Sequence, residues 1–136
     1  MRRYFGLIDA GQLECAFSCL SDSVTVRFGD QPPIVGRAQV ADTIRAMVEP
    51  IADAVAHDIK RIHEVRDTGA TATVICEMTV RYQMRYSGNL ISHHAVSISE
   101  VNKLQGLIES QRNVGDLGPV LADHARHSPG VQAEAT

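Results

Sequence analysis

Beyond Pro50 the chain reads as strand almost to its end, and every helical pattern lies before that point. This segregation is the tightest constraint on the fold. Val55 to Val65 is the first long β-run, and Asp67-Thr68-Gly69 turns it. Ala70 to Met84 follows, with Val74, Cys76, Met78, Val80 and Tyr82 on one face, and Ser87-Gly88-Asn89 turns the chain again. Leu90 to Val101 and Leu107 to Val114 complete the set, with a short turn at Asn102-Lys103. Runs of alternating residues bounded by Gly, Asn and Asp pair as antiparallel hairpins. A long run of strands after the helices implies an α+β fold, with helices covering one face of a curved sheet.

The helical part is short. Tyr4, Phe5 and Ile8, then Leu13, Ala16, Phe17 and Leu20, recur at helical spacing, interrupted at Ala10-Gly11. Ser21-Asp22-Ser23 is expected to turn, Val24 to Phe28 to form a strand, and Gly29 to Pro33 a loop. Arg37 to Glu49 carries Val40, Ile44, Met47 and Val48 on one face and ends at Pro50. Helices laid over one face of a curved antiparallel meander enclose a cone-shaped hollow, the place for a small ligand. Residues 1–120 form the single domain. Residues 121–136 lose periodicity and are expected to be a flexible tail.

Composition removes several function classes. Three Tyr, three Phe and no Trp, with a formal charge of −3, leave neither stacking platforms nor a basic footprint for nucleic acid. No apolar run reaches the ~20 residues of a membrane span. Asp9 and Gly11 arrive too early for a secretory signal. Cys15, Cys19 and Cys76 are odd in number and lack ligand spacing, so reduced thiols and a cytoplasmic location are expected. The histidines show no HxH or HxxxH spacing, so no metal site and no cofactor are expected.

The stretch Tyr4-Phe5-Gly6-Leu7-Ile8-Asp9-Ala10-Gly11-Gln12-Leu13 resembles the first helix of SnoaL-like and ketosteroid-isomerase-like proteins of the nuclear-transport-factor-2-like superfamily. Leu20 to Arg37, with Arg27-Phe28-Gly29 and Pro32-Pro33 before Gly36-Arg37, is similar to a second conserved block of that family. His57 to Ile59, Thr73 to Glu77, Ile108 to Asp116 and Pro119 fall at family positions. The resemblance covers residues 4–120 and implies a cone-shaped cystatin-like α+β barrel, often a homodimer, with a deep pocket. It places Tyr4 where isomerases keep an oxyanion-hole tyrosine. It places Phe28 at their general base, a residue near Val96 at their second oxyanion donor, and Asn113 at the acid/base position of the cyclases. The usual carboxylates are therefore replaced.

Other groups are expected to carry proton transfer. His93 and His94 are adjacent, so one imidazole points into the hollow and the other away. Val96 and Ile98 share the parity of His94, which makes His94 the inward candidate. His57 shares parity with Val55 and Ile59 and is the second catalytic candidate; His63 has the same parity but lies near the Asp67 turn, where it is expected to be solvated. Leu107, Glu109, Gln111 and Asn113 share one face of the last strand, and the resemblance to the isomerases implies that this face lines the cavity. Gln111 and Asn113 would there orient a carbonyl or hydroxyl. Tyr4, Phe28, Tyr82, Gln111 and Glu109 are the expected substrate contacts, and Glu77 with Arg112 an outward ion pair or dimer contact.

The expected activity is cofactor-free acid/base chemistry on a small apolar, oxygenated metabolite, of the cyclase, isomerase or dehydratase kind. A non-catalytic ligand-binding protein is the first alternative. Hydrolysis of an epoxide or ester by a water activated at Glu109 or Asp116 is the second.

Overall fold

The computed structural model describes residues 1–129 of the 136. Helix α1 spans Arg2–Asp9 and α2 Leu13–Phe17. Gly11, at a φ of 74°, makes the left-handed turn between them that a side chain would resist. Strand β1 runs Leu20–Phe28 and β2 Ile34–Val35, and α3 (Arg37–Val48) follows Gly36. The expected turn at Ser21-Asp22-Ser23 is absent. These residues stay extended in β1, in the irregular stretch between Leu20 and Thr25 where its register against the last strand shifts.

Four long strands complete the sheet: β3 (Ala52–Asp67), β4 (Thr71–Met84), β5 (Leu90–Asn102) and β6 (Leu107–Gly115). The strand order is β2-β1-β6-β5-β4-β3. All pairs are antiparallel except β1 with β6, which lie parallel because the meander carries β6 back beside the first strand. The six-stranded sheet is curved and unclosed, with helices on its concave side. Register shifts after Ala52, Ile59 and Glu64 bend β3, as an unpaired extra residue does.

The core lies between the concave face and the helices. Tyr4, Phe5, Ala16 and Phe17 from α1 and α2, and Val40 and Ile44 from α3, meet Val24, Val26, Cys76, Met78 and Val80 of the sheet. Arg37 fastens α3 to β1, its Nε donating to the Leu20 carbonyl at 3.0 Å and its Nη2 pairing with Asp22 at 2.9 Å.

The chain does not turn irregular after residue 120. Helix α4 spans Gly118–His127, with Pro119 in its first turn, where a missing N–H costs nothing. Val120 is buried. The Asp123 carboxylate accepts hydrogen bonds from Ser87 Oγ at 2.6 Å and Asn89 Nδ2 at 2.8 Å, which ties α4 to the β4–β5 turn. The expected tail is thus helical to His127, and its part beyond residue 129 lies outside the described residues.

Candidate active site

The strand registers decide which side chains enter the concave face. On β4 the even residues from Ala72 to Met84 point inward, as expected. Their partners on β5 are Val101, Ser99, Ser97, Ala95, His93 and Ile91, so the odd residues of β5 share that face. Ser97 and Ser99 are fully buried, whereas Ile98 is 37% exposed. The expected parity of β5 is therefore reversed. His94, Val96 and Ile98 belong to the convex face, and His93 to the concave one. His94 borders a shallow depression of about 280 Å³ beside Lys60, Arg61 and Glu77. The apolar residues that suggested an inner face decorate the outer one instead.

A shift in β6 corrects a second expectation. Its register slips opposite Glu100 and Val101, so Ile108 and Gln111 point inward and Glu109 falls outside. Glu109 Oε1 accepts a hydrogen bond from Asn102 Nδ2 at 2.9 Å on the exposed surface. Asp116 accepts the Gly118 backbone N–H at 2.9 Å and so fixes the start of α4. Neither carboxylate addresses the concave face, which removes the basis for the water-activating reading.

His63 is exposed, as expected. The bulge between Ile59 and Arg61 inverts the parity of β3, and His63 Nε2 lies 2.8 Å from Glu77 Oε2 on the convex side. The histidine holds the Glu77 carboxyl below the usual carboxylate range. Glu77 and Arg112 do point outward, but not toward one another: Arg112 stands 4.0 Å from Asp30.

Gln111 and Asn113 do line the inner wall. Gln111 is 4% exposed; its Nε2 donates to Ser99 Oγ at 3.2 Å and its Oε1 accepts from Asn113 Nδ2 at 3.1 Å. Phe28 pairs with Asn113 across the parallel β1–β6 seam. Tyr4 stands in α1 at 3% exposure, edge-on to Phe5 at 5.1 Å. Burial pushes its phenol far above the ordinary value, and the nearby Cys19 thiol adds to the shift. It therefore stays a hydrogen-bond donor throughout the useful pH range. Burial likewise raises Tyr82.

His57 is the residue around which the site organises. Phe5 packs against its ring at 4.7 Å, and its side chain is only 13% exposed. Its partner was not foreseen. Asp9, the last residue of α1, places Oδ1 2.6 Å from His57 Nδ1 and accepts the His57 backbone N–H on Oδ2 at 2.8 Å. A carboxylate accepts, so Nδ1 carries the proton and Nε2 keeps a free lone pair. Asp9 gains nothing from its own helix, because a negative charge at a helix C-terminus opposes the macrodipole. The only signal in the sequence was that acidic residue ending an otherwise apolar-faced helix. An aspartate–imidazole pair with its ring packed on Phe5 is an arrangement for moving a proton.

The comparisons agree with this architecture. Residues 1–106 match the model of the SnoaL-like domain family. The chain belongs to that family. A solved structure of a protein assigned as an isomerase in Bacillus subtilis superposes with a TM-score of 0.69 at 16% identity, covering 90% of this chain and 86% of that one. A protein assigned as a dehydratase of the nuclear-transport-factor-2-like family in Streptomyces avermitilis gives 0.70 at 15% identity, covering 85% and 90%. OCP1 of Fremyella diplosiphon gives 0.66 at 12% identity, over 82% of this chain but 32% of that one. At these identities the likeness is one of fold. No curated protein matches the SnoaL-like chain by sequence.

Proposed function

We propose that this SnoaL-like protein is a cofactor-free proton-transfer enzyme. It acts on a small, apolar, oxygenated metabolite of polyketide or terpenoid type. The reaction is elimination of water, isomerisation or ring closure beside a carbonyl. The observation that supports this reading is the double attachment of Asp9 to His57. It fixes the tautomer and aims the Nε2 lone pair without further tuning. His57 takes a proton from the carbon next to the substrate carbonyl. Tyr4 and the amides of Gln111 and Asn113 hold the charge that then develops on oxygen. Phe28 and Tyr82 supply apolar contact. In the alternative of a ligand carrier without chemistry, the Asp9 carboxylate would serve only to tie α1 to β3.

The general probe for such a base is 5-nitrobenzisoxazole. Removal of its C3 proton sends electrons into a nitrile, breaks the N–O bond and releases a coloured 2-cyano-4-nitrophenolate. Wild-type protein is expected to catalyse this elimination, and His57→Gln to lose about 10²–10⁴-fold. Equal rates for both proteins would reject His57 as the base.

The three free thiols fit a reducing, cytoplasmic setting. The convex face fits a homodimer interface. Ile75, Val96, Ile98 and Val114 lie on neighbouring strands there, and Ile98 and Val114 are exposed.

A further inference from the structure

Val80 of β4 pairs with His57 on one side and His93 on the other. The two imidazoles therefore occupy one row of the concave face, two strand spacings or roughly 10 Å apart at the backbone. His57 has a full set of partners around its Nδ1. His93 has a niche built for its ring but no partner for its outer nitrogen. Three features hold the ring. It stacks on Tyr82 with centroids 5.6 Å apart and planes 18° from parallel. Its Nδ1 lies 3.1 Å from the carbonyl oxygen of His94, which can only accept, so Nδ1 bears a proton. Gly115 of β6 leaves the remaining space. A Cβ there would stand 3.0 Å from His93 Nδ1 and 3.1 Å from its Cε1. The niche leaves His93 Nε2 shielded from solvent and without a hydrogen-bond partner among the described residues. A buried nitrogen without a partner forfeits the hydrogen bond that water would give it, so its presence on the concave face calls for an explanation.

We infer that His93 is the second catalytic imidazole, the acid that meets the oxygen leaving the substrate while His57 takes the proton from carbon. This assignment rests on the proposed proton-transfer reading. It also directs the site toward substrates whose carbon–oxygen bond breaks, as in loss of water from a β-hydroxy carbonyl compound. In that step His57 Nε2 takes the proton from the carbon beside the carbonyl. The freed pair forms the C=C bond, the C–O pair stays with the departing oxygen, and His93 in its imidazolium form protonates that oxygen through Nε2. One water leaves, His57 ends protonated and His93 neutral. Exchange with solvent restores both.

Two probes of different leaving-group quality test it. Unsubstituted 1,2-benzisoxazole releases a more basic phenolate than its 5-nitro derivative and so depends more on an acid. His57→Gln is expected to lower turnover of both by a similar factor. His93→Gln is expected to cost about tenfold more on the unsubstituted probe than on the nitro probe. Gly115→Ala is expected to show the same leaving-group bias, and the double variant to lose little more than His93→Gln alone. Equal losses on the two probes, or none, for His93→Gln would overturn the role of His93 while leaving His57 in place. A wild-type rate no greater than that of free imidazole would overturn the base reading and this one with it. A measurement without turnover separates the two: 4-nitrophenol, a stand-in for the departing oxygen, should move the ¹⁵N resonance of His93 Nε2 in wild-type protein. An unmoved resonance would remove His93 from the oxygen's path whatever the kinetics show.

Discussion

The carboxylate of Asp9 grips His57 at two points, the ring Nδ1 at 2.6 Å and the backbone N–H at 2.8 Å, and so joins the end of α1 to the beginning of the bent edge strand β3. Asp9→Asn keeps the shape and removes the charge. An amide can also accept from Nδ1 only weakly, so the tautomer with Nε2 free is no longer enforced. Turnover of 5-nitrobenzisoxazole should fall by about 10²-fold or more, with an unchanged circular dichroism spectrum. A variant that keeps wild-type turnover would make the pair merely architectural.

His94→Ala should leave that turnover unchanged, because the side chain belongs to the convex face. A large loss would mean that β5 is slipped by one residue.

Tyr4→Phe keeps the ring among its core neighbours and removes the donor, so the fold should persist while elimination slows by about 10²-fold. Alkaline stability gives a second readout. The Tyr4 phenol is raised by burial, so the unfolded chain releases this proton at lower pH than the native one. Its contribution is complete below the ordinary phenol value of about 10 and declines as pH rises from there toward the folded value. Tyr82 acts in the same direction. Urea unfolding of wild type should weaken above pH 10, and Tyr4→Phe should flatten that decline.

At the acid end the sensitive group is Asp123. Hydrogen bonds from Ser87, then from Asn89, hold its carboxyl below the ordinary value. That stabilisation is complete above the unfolded value near 4 and is lost as pH falls through the lower folded one. Amide hydrogen exchange in α4 should therefore accelerate at acid pH before the sheet opens. Asp123→Ala should cost about 2 kcal/mol and abolish this difference.

Ile98→Lys places a charge in the middle of the exposed convex face. Sedimentation should show wild type as a dimer and the variant as a monomer with its sheet intact. A monomeric wild type would end the dimer proposal.

How much of this was legible depended on whether local alternation and tertiary environment agreed. On β4 they do: an unbroken run of apolar even residues meets the core, and Tyr82 was placed without error. On β5 they conflict. The inner residues are Ser97 and Ser99, buried within a polar wall shared with Gln111, while Val96 and Ile98 cover the outside. The rule that apolar residues point inward therefore selected the wrong face. On β6 a displaced register moved Glu109 outward, and no residue type announces such a shift. Asp9 was hidden for another reason: its purpose is a partner 48 positions away. Helix α4 was missed because its anchor is its own Asp123 carboxylate, held by Ser87 and Asn89 of the distant β4–β5 turn.

The parallel seam carries a consequence for biosynthesis. Val26 finds Gln111, and Phe28 finds Asn113, only after the intervening meander exists. While a ribosome is still extending the chain, the two-residue β2 is the sole strand available to β1. The amide wall therefore joins the first strand only once β6 is available. A chain cut short ahead of β6 would leave β1 paired with β2 alone and the inner wall without its amides.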